Sequence, residues 1–197
     1  MQEQIIDIIR NADHTVWHYL NATWHNEFLD AIIPYLRNQW TWAPLYLFLL
    51  VFTLYNFGWS GLVWCLFFLG SFGIADQLSA HFLKEIFERT RPCNNPSLAK
   101  AVHIIVPCGS GYSFPSSHAA NHFALGVFMA ITFKKYMKNI WWWTMIWATA
   151  VAYAQVYVGV HFPFDVFCGG LLGAGVGRLT GTIFNLWIGL EPRNTKE

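Results

Sequence analysis

Charged side chains are scarce in this chain of 197 residues, and their scarcity decides its broad class. Asp, Glu, Lys and Arg make up 12% of the residues, whereas about 25% is usual in soluble globular domains. The formal net charge is only +1, so the chain lacks the strong positive field that attracts nucleic acid. These shortages exclude an ordinary soluble domain and predict no nucleic-acid partner.

Cysteine is also rare, with four residues in the whole chain. Cys93 and Cys108 lie in a long polar stretch, whereas Cys65 and Cys168 lie in apolar stretches and are typical of small core residues. A disulfide between Cys93 and Cys108 is allowed in an oxidising compartment such as the periplasm. Spacing alone does not fix connectivity, so the disulfide and two free thiols both stay open.

Apolar and aromatic residues are abundant instead. Hydrophobic residues account for 55% of the chain, and eleven tryptophans suit the aromatic belts of a membrane protein. We predict an all-α integral membrane helical bundle of about five spans, at residues 40–55, 59–87, 116–136, 140–160 and 163–187. The bilayer is therefore an expected partner, and the sequence leaves the oligomeric state open.

The first 38 residues have a different pattern. Apolar and polar residues alternate there at helical spacing, and no run stays apolar for the about 18 residues that a span needs. We predict an amphipathic interfacial lead-in over 1–38, a transmembrane bundle over 39–187 and a polar tail over 188–197. Together they form one domain, 1–197.

Polar segments interrupt the predicted spans at three places, 84–92, 115–118 and 155–165. Counting spans puts all three on the same membrane face. The opposite face carries Lys134, Lys135 and Lys138 in a short loop, and the positive-inside rule makes that face cytoplasmic. We therefore expect a site on the periplasmic face of a bacterial inner membrane.

The ionisable residues of these segments form a set suited to phosphate esters. His161 and Asp165 are four residues apart at a helix start, so the carboxylate can hold one imidazole nitrogen while the other attacks phosphorus. His118 follows two serines at a helix N-terminus, which favours a bound phosphate. Lys84 and Arg91 can neutralise the phosphate oxygens.

The three segments together resemble the signatures of the type 2 phosphatidic acid phosphatase superfamily. The first signature, Lys, six residues, then Arg-Pro, is matched by Lys84, Arg91 and Pro92. The second, Pro-Ser-Gly-His, is matched by Pro115, Ser116 and His118, with Ser117 in place of Gly. The third, Ser-Arg, five residues, His, three residues, Asp, is matched by His161 and Asp165, with Ala154 and Gln155 in place of Ser-Arg.

The resemblance implies hydrolysis of a lipid phosphate through a phosphohistidine. His161 is then the nucleophile, Asp165 orients it, and His118 protonates the leaving oxygen and later activates water. The implied phosphate-binding residues are Lys84, Arg91, Ser116, Ser117 and Gln155, with no metal and no cofactor. The implied substrates are a membrane phospholipid or polyprenyl phosphate, including undecaprenyl pyrophosphate, phosphatidic acid, phosphatidylglycerol phosphate and lipid A.

Gln155 is the more serious departure from these signatures. It replaces a full charge by a neutral amide, and losing one transition-state donor typically costs about two to three orders of magnitude in rate. Gln155 performs a weaker version of the same task, or a cation such as Arg89 substitutes, or turnover is slow. Two further functions stay open: a phospholipid-binding or translocating protein, and a lipid phosphotransferase.

Overall fold

The computed structural model describes residues 2–193, and the part of the chain that it describes contains helices and no β-strand. The helices are α1 (Gln2–Trp17), α2 (Glu27–Arg37), α3 (Ala43–Asp76), α4 (Lys84–Phe87), α5 (Ser117–Phe133), α6 (Ile140–Tyr157) and α7 (Pro163–Trp187). Wider π-helical turns extend α1 over His18–Thr23 and join α3 to α4 over Gln77–Leu83. The predicted all-α fold is confirmed over these residues.

Helix α3 consists of two antiparallel arms. Gly58 has φ 54° and ψ −120°, a conformation outside the helical region that glycine adopts at little cost. The chain reverses there, so the Thr53 hydroxyl of the first arm lies 3.2 Å from the Cys65 sulfur of the second. Gly61 sits directly against the Thr53 carbonyl, because a hydrogen atom is all that fits between the arms. The reversal lies in the gap between the spans predicted at 40–55 and 59–87.

Helix α5 is the centre of the bundle, and most of its residues are buried against α3, α6 and α7. Helix α7 approaches it closely through glycines spaced four apart. Gly169, Gly173 and Gly177 face the carbonyls of Ser116, Ala120 and Ala124. Small residues at this spacing allow helix backbones to approach each other within lipid.

Two stretches, Gln39–Leu98 and Pro163–Trp187, are long and apolar enough to cross a membrane. The first contains both arms of α3, and the second coincides with the span predicted at 163–187. Helices α5 and α6 begin within one residue of the spans predicted from 116 and 140, and each ends three residues earlier than predicted. The number of crossings stays a prediction.

The N-terminal segment packs onto the end of the bundle where the polar segments meet. Trp17 is buried beside Val156 and Phe162. The amide of Asn21 donates to the backbone oxygens of His103 and Tyr157, at 2.8 and 2.6 Å. The lead-in is thus packed against the bundle across residues 13–37. Of the predicted tail 188–197, residues 194–197 lie outside the described residues.

Candidate active site

The turn between α6 and α7 positions a buried histidine and a buried aspartate. The backbone N–H of His161 donates to the Gln155 carbonyl oxygen, and the N–H of Phe162 donates to Oδ2 of Asp165 at 2.9 Å. Pro163 begins α7, where its missing N–H costs nothing. The same Oδ2 lies 3.6 Å from Nδ1 of His161. The carboxylate therefore caps the helix start and lies within ion-pair distance of the imidazole, whose Nδ1 has no hydrogen-bond partner among the described residues.

His161 is only 2% exposed, and its ring lies between a carboxylate and a guanidinium group. Nδ1 faces Asp165, whereas Nε2 lies 3.5 Å from a terminal nitrogen of Arg91. Burial lowers the pKa of His161, and this outweighs the opposing influence of Asp165. The ring is therefore neutral at pH 7, which is the state that a nitrogen nucleophile requires.

Arg91 is held in place by backbone oxygens of the loop before α5 and of the turn between α6 and α7. Its Nε donates to Gly111 O at 3.2 Å, and Nη1 donates to Val160 O at 3.4 Å. The residue is 9% exposed, so its fork is fixed beside Nε2 of His161. Lys84, at the start of α4, is half-buried and interacts electrostatically with Arg91 and Asp165. The two predicted cations therefore belong to the site.

The N-terminus of α5 completes the group. Ser116 caps the helix, its Oγ accepting from the Ala119 N–H at 3.4 Å, and its own N–H donates to the Asp165 carbonyl oxygen at 3.0 Å. That second bond ties the start of α5 to the start of α7. The Ser117 hydroxyl is buried without a hydrogen-bond partner among the described residues. His118 follows on the first turn, so the first, second and third predicted segments meet here.

Gln155 lies beneath this group and is completely buried. Within residues 2–193, neither its amide nitrogen nor its amide oxygen has a hydrogen-bond partner. A buried polar group left in this state costs about 1–3 kcal/mol, so it is expected to gain a partner when a ligand is bound. Both polar atoms of the Gln155 side chain are thus unsatisfied beside the turn that carries His161.

A mostly apolar cavity of about 590 Å³ opens from the site into the bundle. Tyr46, Leu50, Trp64, Phe68 and Leu125 are among the residues of its walls. The polar side chains of its lining belong to Arg37, Gln39, Asp76, Ser117, His118, Asn121 and His122. The shape and composition suit a hydrocarbon chain whose head group lies at His118.

The polar loop before α5 is fastened to the site. Cys93 and Cys108 are joined as a disulfide, with Cα atoms 5.9 Å apart. The Cys93 N–H also donates to the Gly159 carbonyl oxygen at 3.1 Å, in the turn that carries His161. The polar loop is therefore bonded to the turn between α6 and α7.

The sequence profile of the PAP2 superfamily matches residues 61–188, which include every residue of the three polar segments. The chain belongs to the PAP2 superfamily. Its curated relatives include two proteins named lipid A 4'-phosphatase. The one from Bacteroides thetaiotaomicron is 31% identical, covering 89% of this chain and 78% of the relative. The one from Porphyromonas gingivalis is 30% identical, covering 95% and 79%.

An undecaprenyl-diphosphatase of Bacillus subtilis, BcrC, is 26% identical over 72% of this chain and 68% of its own length. Among solved structures, the transmembrane PAP2-type phosphatidylglycerolphosphate phosphatase of B. subtilis superposes with a TM-score of 0.74. It is 23% identical, covering 91% of this chain and 88% of that one. Aquifex aeolicus LpxE superposes with a TM-score of 0.65. It is 24% identical, covering 84% of this chain and 92% of that one. Both likenesses establish the PAP2 fold.

The structure places two residues from outside the PAP2 signatures, Arg89 and Asp13, next to Asp165 and to each other. Arg89 donates through Nη1 to Oδ1 of Asp165 and through Nη2 to Oδ2 of Asp13, both at 2.6 Å. Asp13 also accepts from the Phe164 N–H at 2.8 Å. Because two carboxylates already neutralise Arg89, it does not supply the free cation that Gln155 fails to provide. Asp13 was missed, since nothing in the sequence separates it from the other acidic residues of the lead-in.

Proposed function

We propose that this chain hydrolyses a phosphate monoester or pyrophosphate on a membrane lipid through a phosphohistidine, without a metal. The observation that carries the proposal is the His161–Asp165 pair. It is buried, its Nε2 lies 3.5 Å from Arg91, and His118 lines a mostly apolar cavity of about 590 Å³. Family membership supports the same class of reaction, because the named relatives are phosphatases of lipid substrates.

In the first step, Nε2 of His161 attacks phosphorus and the bond from phosphorus to the lipid oxygen breaks. His118 donates its proton to that oxygen, which leaves on the lipid. Asp165 stabilises the positive charge that develops on the ring by holding Nδ1–H. The trigonal phosphoryl group carries its charge on three oxygens as it passes from the lipid oxygen to Nε2 of His161.

In the second step, His118 removes a proton from water, whose oxygen attacks the phosphoryl group. The bond from phosphorus to Nε2 breaks, and inorganic phosphate leaves with the His161 ring neutral again. Throughout, the charge on the phosphoryl oxygens is met by Lys84, Arg91 and the N-terminal end of α5 at Ser116 and Ser117. The buried amide of Gln155 supplies a neutral donor.

We further propose a single membrane domain, 1–197, that crosses the bilayer five times, with the arms of α3 as the first two crossings and α5, α6 and α7 as the others. The N-terminal helices lie at the interface beside the site. The Cys93–Cys108 disulfide supports an oxidising compartment on that side, which in a bacterium is the periplasm. The lysines at 134, 135 and 138 support a cytoplasmic opposite face.

Among substrates, the relatives favour a lipid A-type phosphate first. Two lipid A 4'-phosphatases match this chain over 89% and 95% of its length. Undecaprenyl-diphosphatase and phosphatidylglycerophosphatase B relatives match it over 72% and 60%. All these substrates present a phosphate on an apolar anchor, which is the chemistry that the cavity and the cations share.

The test is phosphate release in detergent from a panel of lipid A, undecaprenyl pyrophosphate, phosphatidylglycerol phosphate and phosphatidic acid. We expect release from at least one lipid, and loss of that release in His161→Ala. If neither the parent nor Gln155→Arg exceeds His161→Ala on any lipid, the hydrolase is excluded. Lipid binding without turnover would then favour the binding or translocating protein that the loss of the third-signature arginine allows.

A further inference from the structure

Arg37, at the end of α2 in the N-terminal segment, places a third guanidinium group in the lining of the cavity. Helix α2 packs on α6 through Ile33, which is buried against Ala154 and Tyr157. These two residues precede and follow Gln155 in the sequence of α6. Arg37 follows Ile33 by one helical turn, so it lies on the same face of α2. Its side chain lines the cavity together with Ser117 and His118.

The guanidinium of Arg37 has no counterion in the part of the chain that the structure describes. The ion pairs between residues 2 and 193 involve other residues, and Nε of Arg37 is buried without a hydrogen-bond partner. Burial lowers the pKa of Arg37, and the neighbouring Arg91 lowers it further. A guanidinium group near a second one, with no carboxylate in ion-pair distance of its own among the described residues, favours a bound anion.

We propose that Arg37 is the third cation of the phosphate site and binds non-bridging oxygens of the substrate phosphate from the cavity side. The inference rests on the proposed function and adds a residue to it. The charge that the third signature lacks at Gln155 is supplied instead by the lead-in, so the cationic set is Lys84, Arg91 and Arg37. The N-terminal segment is then part of the substrate site.

A purely structural role for Arg37 has a different signature. A cation in the last turn of a helix stabilises that helix through its dipole. Such a role predicts a loss of stability that no change at Gln155 restores. A charge on the phosphate predicts a kinetic loss that a new arginine at position 155 does restore, because both would serve the same oxygens.

The kinetic test compares kcat/KM of the parent, Arg37→Gln, Arg37→Lys and the double variant Arg37→Gln/Gln155→Arg on one lipid. We expect Arg37→Gln to lose about 10²-fold, as for other single transition-state donors. Arg37→Lys keeps the charge but loses the fork, and should lie between. The double variant should regain at least tenfold over Arg37→Gln. The matched control is Arg10→Gln, since Arg10 lies on the exposed side of α1 in a surface pair with Asp7.

Parental activity in Arg37→Gln, or an equal loss in the double variant, overturns the inference and leaves the proposed function standing. A parent without phosphatase activity refutes the proposed function instead. Arg37 is then judged by binding of inorganic phosphate, measured as the rise in unfolding temperature in detergent. A rise in the parent and in Arg10→Gln that is lost in Arg37→Gln supports it, and any other pattern overturns it.

Discussion

Arg89 donates a 2.6 Å hydrogen bond to Oδ1 of Asp165, the carboxylate that faces His161 through its other oxygen. The interaction fixes the orientation of an aspartate that is completely buried. It also explains why Arg89 cannot act as a free phosphate ligand, because its second terminal nitrogen is held by Asp13. The N-terminal helix thereby supports the His161–Asp165 pair, to which we assign the chemistry.

Replacing Arg89 should therefore destabilise the fold as well as slow the reaction. Arg89→Gln leaves the buried carboxylates of Asp165 and Asp13 without their cation, and breaking a buried pair costs about 3 kcal/mol or more. Denaturant unfolding in detergent measures the change. The control Arg10→Gln removes an exposed pair with Asp7 and should change stability by about 1 kcal/mol or less. Equal effects of the two variants would contradict the supporting role.

The pH dependence should follow the neutral state of His161. Burial lowers the pKa of this ring, so the neutral nucleophile persists below pH 6.5, the usual value, and is lost only as pH falls through the lowered pKa. We expect the acidic limb of kcat/KM to lie below pH 6.5. Profiles with two lipid substrates separate this limb from titration of the substrate phosphate. A limb near or above pH 6.5 in both profiles would argue against a buried neutral ring.

The Cys93–Cys108 disulfide should stabilise the loop beside the site. Its cysteines are 15 residues apart, and closing a loop of that length contributes about 3 kcal/mol to stability. Cys93→Ser/Cys108→Ser should lose about that amount in unfolding experiments and should not respond to reductant. Cys65→Ser keeps the disulfide, so reductant should destabilise it as much as the parent. An impermeant thiol reagent applied to intact cells should label the pair only after reduction. Labelling without reductant would show free thiols.

The close approach of α5 and α7 should depend on Gly173. A Cβ there would meet the backbone of Ala120, so Gly173→Ala forces the helices apart and should cost about 1–3 kcal/mol. Gly175 lies on the same helix, and a Cβ there would meet nothing within 4 Å. Gly175→Ala is thus the matched control and should be neutral or slightly stabilising. Equal losses in the two variants would contradict the packing.

Most of the bundle could be predicted from the sequence because the signals are local. Pro163 and the glycine-rich run indicate α7, and Gly58 marks the reversal within one long apolar stretch. The signatures themselves indicated the residues that the structure brings together around His161. The positions of Asp13 beside Arg89 and of Arg37 in the cavity lining could not be predicted, because an amphipathic pattern shows which helix face is apolar but not which surface that face covers.

Trapping the phosphorylated enzyme is a direct test of the phosphohistidine proposed at His161. Detergent-solubilised protein is mixed with a lipid substrate that carries labelled phosphate, quenched in alkali and analysed for label bound to protein. We expect alkali-stable label in the parent and none in His161→Asn, together with loss of phosphate release in that variant. Phosphate release by His161→Asn at the parent's rate, or label that persists in it, would contradict the account.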